Sequence, residues 1–345
     1  DRFYSASDLE AQHSRLANPS DVVFAEVGCH GVAEGAALAA GGKSADLLIE
    51  KTKTANATCA AARMVDEAAP SRLRGSLSVI GIGPGAADWR TPEASRLIAQ
   101  ADELVGYGLY IDLLGPLAAG KPRQDFPLGG EEDRCRYALE RAGEGRNVAL
   151  ICSGDAGIYA MGALVMELMD RAENDGGVTD AAKRVQIINA PGISALQAAS
   201  ARAGAILGHD FCTISLSDLL TPREDIIKRL HAAAEGDFVI AFYNPVSMKR
   251  RTLLSEARDI LLKHRPADTP VLLASNLGRT DETLRPRTLA TLEVDEVDML
   301  TVVLVGSSNT KAFRTGDIRA GAEGNRIYTP RGYAKRIDAK ESKAS

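Results

Sequence analysis

Long apolar runs are missing from this 345-residue chain. No stretch approaches the roughly 18 consecutive apolar residues that a membrane helix needs, so no membrane partner is expected. Cysteine is sparse: Cys29, Cys59, Cys135, Cys152 and Cys212 form no C-x-x-C pair and have no histidine cluster close in sequence. Neither a zinc nor an iron–sulfur site is signalled, the expected metal set is empty, and the cysteines read as buried free thiols. Their odd count, with no amino-terminal signal sequence, predicts a reducing cytoplasm. Basic residues are not in excess, 41 against 46 acidic, and a net charge of −5 argues against a general nucleic-acid binder, which needs a basic face for phosphates. The chain also lacks a G-x-S-x-G elbow, a P-loop and an H-E-x-x-H helix, which removes the usual support for hydrolase and NTPase chemistry. It opens on Asp1, and the expectation is a processed or truncated piece of a longer protein.

What the chain does have is glycine at the ends of short aliphatic runs. Leu77-Ser78-Val79-Ile80 leads into Gly81-Ile82-Gly83-Pro84-Gly85, Val148 to Cys152 into Ser153-Gly154-Asp155-Ala156-Gly157, and Val185 to Ile188 into Pro191-Gly192-Ile193-Ser194-Ala195. Strand, glycine turn and helix is how open α/β sheets build sites at their carboxyl edges, and glycine there lets backbone amides approach a ligand. Three such turns predict one ligand cleft. At 45% hydrophobic and 25% charged the chain reads as globular, long enough for two or three domains.

Alternation of strand and helix from Leu77 onward predicts an α/β architecture of two tandem α/β domains. Thr91-Pro92-Glu93 starts a helix by its cap, its proline and its acid, with Ala94, Leu97, Ile98 and Ala101 as the buried face. Further helices are expected over Ser194 to Ala203, Asp225 to Ala234 and Thr252 to His264. Strands are expected at Phe211 to Ser215, Phe238 to Phe242, Pro270 to Ala274 and Thr301 to Val305. The predicted limits are 1–72 for a partial small α/β segment with its linker, 73–208 and 209–333 for the two domains about a hinge near 204–210, and 334–345 for a polar tail. Within the first segment a helix is expected around Val32 to Ala40 and a strand at Ala45 to Glu50.

Several motifs admit more than one reading. Gly81-x-Gly83-x-x-Ala86 fits a dinucleotide fingerprint poorly, because Pro84 interrupts it and Asp102 falls at a helix end. An ordinary turn and a nucleoside-type cofactor other than a dinucleotide are the better readings. Ser153-Gly154-Asp155 either reaches a ligand or caps the helix through Met161, Leu164 and Leu168. Tyr159 and Met161 read as packing residues of that helix. Tyr243-Asn244-Pro245 is a carboxyl-edge turn or a plain loop. His209-Asp210 is an acid–base pair or a surface turn.

Taken together, these motifs resemble the tetrapyrrole methylase family over about 260 residues from Leu77 to near Tyr333. Gly81 to Gly85, Ala101-Asp102, Ser153 to Met161, Pro191 to Ala195, Tyr243-Asn244-Pro245 and Tyr328-Thr329-Pro330-Arg331-Gly332-Tyr333 stand in the family's order and spacing. Ala156 departs from it, since proline is common there. The first 70 residues resemble the second half of another corrin-pathway module, the carboxyl-terminal domain shared by cobalt-precorrin-5A hydrolase and CobE-type proteins, through Arg2-Phe3-Tyr4-Ser5, Pro19-Ser20, Val27-Gly28, Val32 to Leu38 and Lys51 to Arg63. No hydrolase activity is expected of that partial module.

The resemblance implies the tetrapyrrole methylase fold, with S-adenosylmethionine across the glycine turns in a cleft between the two domains and a precorrin-type macrocycle beside it. It implies methyl transfer to C-17 of precorrin-3B with ring contraction to precorrin-4, in cobalamin (vitamin B12) biosynthesis, by a homodimer. It further implies Gly83, Pro84, Gly154, Asp155, Ile158, Ser194, Ala195, Asn244, Ala274 and Thr301 as cofactor-binding residues. Asp155, Tyr159 and His209 are the candidates for the base that ring contraction needs. Arg250, Arg251 and Arg279 are the candidates for binding the macrocycle's carboxylates. Methylation at another ring carbon and a non-catalytic tetrapyrrole carrier are the alternatives.

Overall fold

The computed structural model describes residues 2–64, 72–246, 251–316, 324–333 and 337. Two compact units emerge: Asp1–Leu77, Arg136–Val148 and Leu168–Ile187 form one, and Ser78–Cys135, Ala149–Glu167 and Ile188–Ser345 the other.

Two five-stranded sheets carry the α/β architecture. The first uses β1 (Ser76–Gly81), β2 (Glu103–Tyr107), β3 (Arg123–Phe126), β4 (Asn147–Cys152) and β5 (Gln186–Ala190), in the order β3-β2-β4-β1-β5. Its central strands are buried almost end to end, Leu77 to Gly81 in β1 and Val148 to Cys152 in β4, as strands covered on both faces must be. The helix Pro92–Gln100 begins as the sequence predicts: Thr91 Oγ1 accepts the Ala94 N–H at 3.1 Å, Pro92 occupies the first turn, and Ala94 and Ile98 are buried.

The second sheet contains β6 (Phe211–Ser215), β7 (Val239–Tyr243), β8 (Pro270–Ser275), β9 (Thr283–Thr288) and β10 (Thr301–Val305), in the order β6-β7-β10-β8-β9. It is mixed: β6 and β7 are parallel, while β10 runs antiparallel to both β7 and β8. The carboxyl ends of β6, β7 and β8 therefore share an edge with the amino end of β10, with Ser275 opposite Thr301 and Ala274 opposite Val302. Strand periodicity divides the core. Ile240, Phe242, Val271, Leu273, Val303 and Val305 pack with the helices Arg223–Glu235 and Thr252–Leu261. Val239, Ala241, Leu272, Ala274, Val302 and Leu304 pack with Ala195–Ala203. Gly204–Ala205 forms a short strand parallel to Asn325–Tyr328, itself antiparallel to Lys311–Arg314.

The amino-terminal segment folds as helices Ala6–Glu10, Asp21–Val27 and Val32–Gly41 followed by the antiparallel hairpin Leu47–Lys53 and Thr58–Ala62. Its buried carboxylate, Glu34, organises it by accepting N–H groups from Ala17, Asn18 and Lys51 at 2.7–3.0 Å, with the Asn18 amide at 2.9 Å. Burial alone would raise the Glu34 pKa, but the bonds from Asn18, Lys51 and Ala17 outweigh it and hold the carboxyl below its ordinary value. Among the described residues, no single helix is long and apolar enough to cross a membrane. The bent pair Asp21–Val27 and Val32–Gly41, broken by 82°, meets that test only when combined.

Candidate active site

The three glycine turns are pressed onto one another. Gly83 and Gly154 exchange backbone hydrogen bonds at 3.1 and 2.9 Å as an isolated bridge, with Gly83 at a φ of 75° and Gly154 at 68°. A Cβ on Gly81 would lie 2.6 Å from the Gly154 carbonyl oxygen and 2.9 Å from the Gly192 nitrogen, and one on Gly192 would collide with that same oxygen. Glycine is required at both, because three backbones occupy the space of one side chain.

Asp155 locks the arrangement. Its Oδ1 accepts the Gly157 N–H at 2.8 Å and its Oδ2 the Gly192 N–H at 2.9 Å, so one carboxylate spans two turns. The alternative reading of Ser153-Gly154-Asp155 as a helix cap fails, because the helix opens only at Met161.

Beside the turns lies a cavity of about 310 Å³, a size typical of small-molecule sites. Of the expected cofactor set, Pro84, Gly154, Asp155, Ile158, Ser194, Ala195, Asn244, Ala274 and Thr301 line it, while Gly83 stands behind it on its bridge to Gly154. Ser194 Oγ and Tyr243 Oη share a hydrogen bond at 2.5 Å, and Tyr243 Oη also accepts the Leu196 N–H at 3.0 Å. Burial raises the Tyr243 pKa above its ordinary value against the opposing bonds from Ser194 and Leu196, so the phenol stays neutral. Thr301 Oγ1 bonds Ser275 Oγ at 2.7 Å and donates to Asp298 at 2.6 Å, and Asn244 Nδ2 donates to Ser215 at 3.1 Å.

The acid–base candidates separate. Tyr159 lines the cavity, with its hydroxyl 3.2 Å from Thr213 Oγ1 and its ring 5.2 Å from that of Tyr243. The reading of Tyr159 and Met161 as packing residues is corrected, since both form cavity wall. Asp155 has both oxygens committed to backbone amides. His209 does not line the cavity; its Nδ1 accepts the adjacent Asp210 N–H at 2.8 Å, and both side chains are exposed, which is a surface turn.

The arginines separate too. Arg279 lines the cavity, and its Nε is buried with no hydrogen-bond partner. Arg251 does not reach it: its Nη2 donates to Asp295 at 2.9 Å and to the Val294 carbonyl at 3.3 Å. Arg250 lies outside the described residues.

Sequence reasoning passed over Arg134, which lines the cavity at 3% exposure with an unpartnered Nε. It also missed Tyr110, Glu131 and Asn276. Burial raises the Tyr110 pKa while the positive charges of Arg279 and Arg134 oppose it, so both guanidinium groups act on one corner of the cavity. A signal existed for Asn276, because Ser275-Asn276-Leu277-Gly278-Arg279 is a further strand-end glycine turn, with Gly278 at a φ of 72°. None existed for Arg134, which occupies an ordinary charged helix, Glu131–Gly143. Tyr159, Asn244 and Asn276 adopt left-handed backbone, with φ of 51°, 49° and 52°, and all three line the cavity. Asparagine is common in that region, whereas a tyrosine there is unusual.

Residues 76–293 match the family Tetrapyrrole (Corrin/Porphyrin) Methylases, and residues 2–62 match Cobalamin synthesis G C-terminus. The chain is 40% identical over 262 residues to the precorrin-3B C(17)-methyltransferase of Sinorhizobium sp, covering 76% of this chain and 98% of that one. It is 42% identical over 257 residues to a probable cobalt-factor III C(17)-methyltransferase of Salmonella typhimurium, covering 74% and 99% respectively. With the cobalamin biosynthesis protein CobIJ of Mycobacterium tuberculosis it shares 36% identity over 352 residues, 96% of this chain but only 66% of that protein. The crystal structure of the methyltransferase CobJ superposes with a TM-score of 0.66 at 37% identity, covering 74% of this chain and all of the other. The chain belongs to the tetrapyrrole methylase family, and its fold is theirs.

Proposed function

We propose that this chain transfers a methyl group from S-adenosylmethionine to C-17 of precorrin-3B, or of its cobalt-bearing counterpart, with contraction of the ring to the precorrin-4 level. The observation that carries the reading is the convergence of three glycine backbones beside a cavity whose walls come from both sheet edges, in a chain that matches, over 74–76% of its length, nearly the whole of two relatives named for C(17) methyl transfer. The cofactor fits this site. Side-chain-free backbone leaves amides near the ligand, Ile158, Leu277 and Val302 offer apolar wall, and Asn244, Ser194 and Thr301 offer polar contacts.

The sulfonium supplies an already activated methyl group, so the chain's work is orientation. The glycine turns and Asp155 hold the cofactor side rigid. Arg134 and Arg279, each with an unpartnered Nε, receive carboxylates of the macrocycle and set its angle. Of the three base candidates, Tyr159 alone combines a place in the cavity wall with a hydroxyl bonded onward to another hydroxyl, and as it receives the proton that ring contraction releases, its own proton passes along the bond to Thr213 Oγ1 and on to solvent. Asp155 remains a positioning residue.

Action as a homodimer in a reducing cytoplasm belongs to the same reading, and all five cysteines are free thiols. Light scattering on the purified chain decides the dimer.

The deciding experiment is anaerobic incubation with precorrin-3B and S-adenosylmethionine labelled in its methyl group, followed by product mass and NMR. Label at C-17 of a ring-contracted product is expected. Label at another carbon refutes the assigned step, and tight macrocycle binding without transfer refutes the enzyme in favour of a carrier.

A further inference from the structure

Far from the cavity residues in sequence, three metal-ligating side chains converge in the amino-terminal segment. Glu10 ends the helix Ala6–Glu10, His13 opens the turn His13–Arg15, and His30 lies between the helices Asp21–Val27 and Val32–Gly41. One oxygen, Glu10 Oε1, stands 3.0 Å from His13 Nδ1 and 2.9 Å from His30 Nδ1, and the ligand atoms of all three residues lie within 4.8 Å of one another.

The rings are held for this. His13 and His30 stack with centroids 3.9 Å apart, Phe24 stacks on His30 at 4.4 Å, and the His30 backbone N–H donates to Glu10 Oε2 at 2.9 Å. On its far side, His30 Nε2 stands 3.4 Å from Asp21 Oδ1. With its proton on Nε2, facing the Asp21 carboxylate, His30 presents its Nδ1 lone pair on the side of Glu10, where an ion between the two would take it. Two imidazole nitrogens and a carboxylate oxygen that converge in this way are satisfied either by Nδ1–H donation to Glu10 or by a cation among them, which all three can ligate at once.

We propose that Glu10 Oε1, His13 Nδ1 and His30 Nδ1 bind a divalent transition-metal ion of the zinc class, with Asp21 as the outer carboxylate that orients His30. Ligand bonds of roughly 2.0–2.2 Å in a tetrahedral site put ligand atoms about 3.3 Å apart, so the two oxygen–nitrogen separations of 3.0 and 2.9 Å need only a small expansion. Two imidazoles and one carboxylate suit zinc, cobalt or nickel better than the hard cations, which prefer all-oxygen sets. Three protein ligands leave a fourth position for water or an exchangeable ligand, and His13, 46% exposed, leaves that position open to solvent. An outer carboxylate on a ligating histidine is the usual companion of such a site. No motif announces this site, because the two histidines stand 17 positions apart and only the turns bring them together.

The test is a titration of the full chain, stripped with chelator, with Co²⁺ as a spectroscopic probe and Zn²⁺ as competitor. One equivalent of Co²⁺ with visible ligand-field bands, displaced by Zn²⁺, is expected. Because His13 is half exposed, His13→Ala should keep the fold by circular dichroism and weaken binding by on the order of a hundredfold or more, while Asp21→Asn weakens it by about tenfold. Absence of saturable binding, or unchanged affinity in His13→Ala, overturns the site. So does a thiolate charge-transfer band abolished by Cys59→Ser, which would put the ion on the exposed Cys59. If His13→Ala fails to fold, His13→Gln answers the same question, and full-affinity binding by it overturns the site as well.

Discussion

The Asp155 carboxylate is tied to the Gly192 amide at 2.9 Å, which fastens the turn after β4 to the turn after β5. A second bond, to Gly157 at 2.8 Å, completes a clamp made by one side chain. Asp155→Ala removes two hydrogen bonds to a charged acceptor and is expected to lower stability by on the order of 2–4 kcal/mol. Affinity for S-adenosylmethionine should fall at least tenfold. Asp155→Asn, which keeps one acceptor oxygen, should fall between the two. Urea unfolding with calorimetric titration checks both quantities, and an unimpaired Asp155→Ala would remove the clamp from the site's architecture.

Arg134 and Arg279 should act on the macrocycle alone. Alanine at either is expected to raise the KM for the tetrapyrrole by about tenfold or more while leaving S-adenosylmethionine affinity within about twofold, because a lost carboxylate contact is worth roughly 1.5–3 kcal/mol. Arg251→Ala, already paired with Asp295, should change neither. Equal losses of both ligands in Arg134→Ala would mean that the guanidinium serves the cofactor side.

Tyr243→Phe deletes the hydroxyl that bonds both Ser194 Oγ and the Leu196 N–H. Leaving these part-buried groups unpaired should lower stability by about 1–3 kcal/mol, with a corresponding fall in Tm. Tyr159→Phe, by contrast, loses one bond at a half-exposed hydroxyl. It should leave Tm nearly unchanged and lower kcat for ring contraction. The pair of variants separates a structural phenol from a chemical one.

Alkaline pH should unfold the chain through its thiols. Burial pushes Cys135 and Cys152 from 9.0 up to about 12, so the folded state holds protons that the unfolded state releases. Their contribution is intact below about pH 9 and is lost as pH rises toward 12, by at most about 1.4 kcal/mol per pH unit for each thiol. Stability measured from pH 8 to 11 should fall along this course, and Cys135→Ala should shallow it. The same burial predicts that Cys59 reacts with a thiol reagent in the native state while Cys135 and Cys152 do not. A flat profile to pH 11 would contradict the assignment.

Strand-end glycines made much of the site legible. Gly81, Gly154 and Gly192 marked the floor, because no other residue type tolerates backbones that close, and the sheet edges followed from the alternation of elements. The walls were harder to read. Arg134 looks like any other charge on the helix Glu131–Gly143, and only its burial sets it apart. Thr301 opens an antiparallel strand, and its place beside Ser275 depends on strand order rather than on local pattern. Arg251 and His209 misled in the opposite direction, since Arg251 follows a carboxyl-edge run and His209 stands at the expected domain junction, yet each turns to a neighbour of its own. The run Val22-Val23-Phe24, strand-like in composition, is helical because Ser20 caps it and Gly28 ends it in left-handed backbone.

The left-handed residues around the cavity set stability and recognition against each other. Glycine at Tyr159, Asn244 or Asn276 would relax the backbone, and any search for heat-resistant variants would tend to select it. Each such change would also strip a side chain from the wall that meets the ligand. A hardened version of this protein chosen by melting temperature alone would therefore drift toward an empty, unselective pocket, and the sturdiest descendants would be the poorest catalysts.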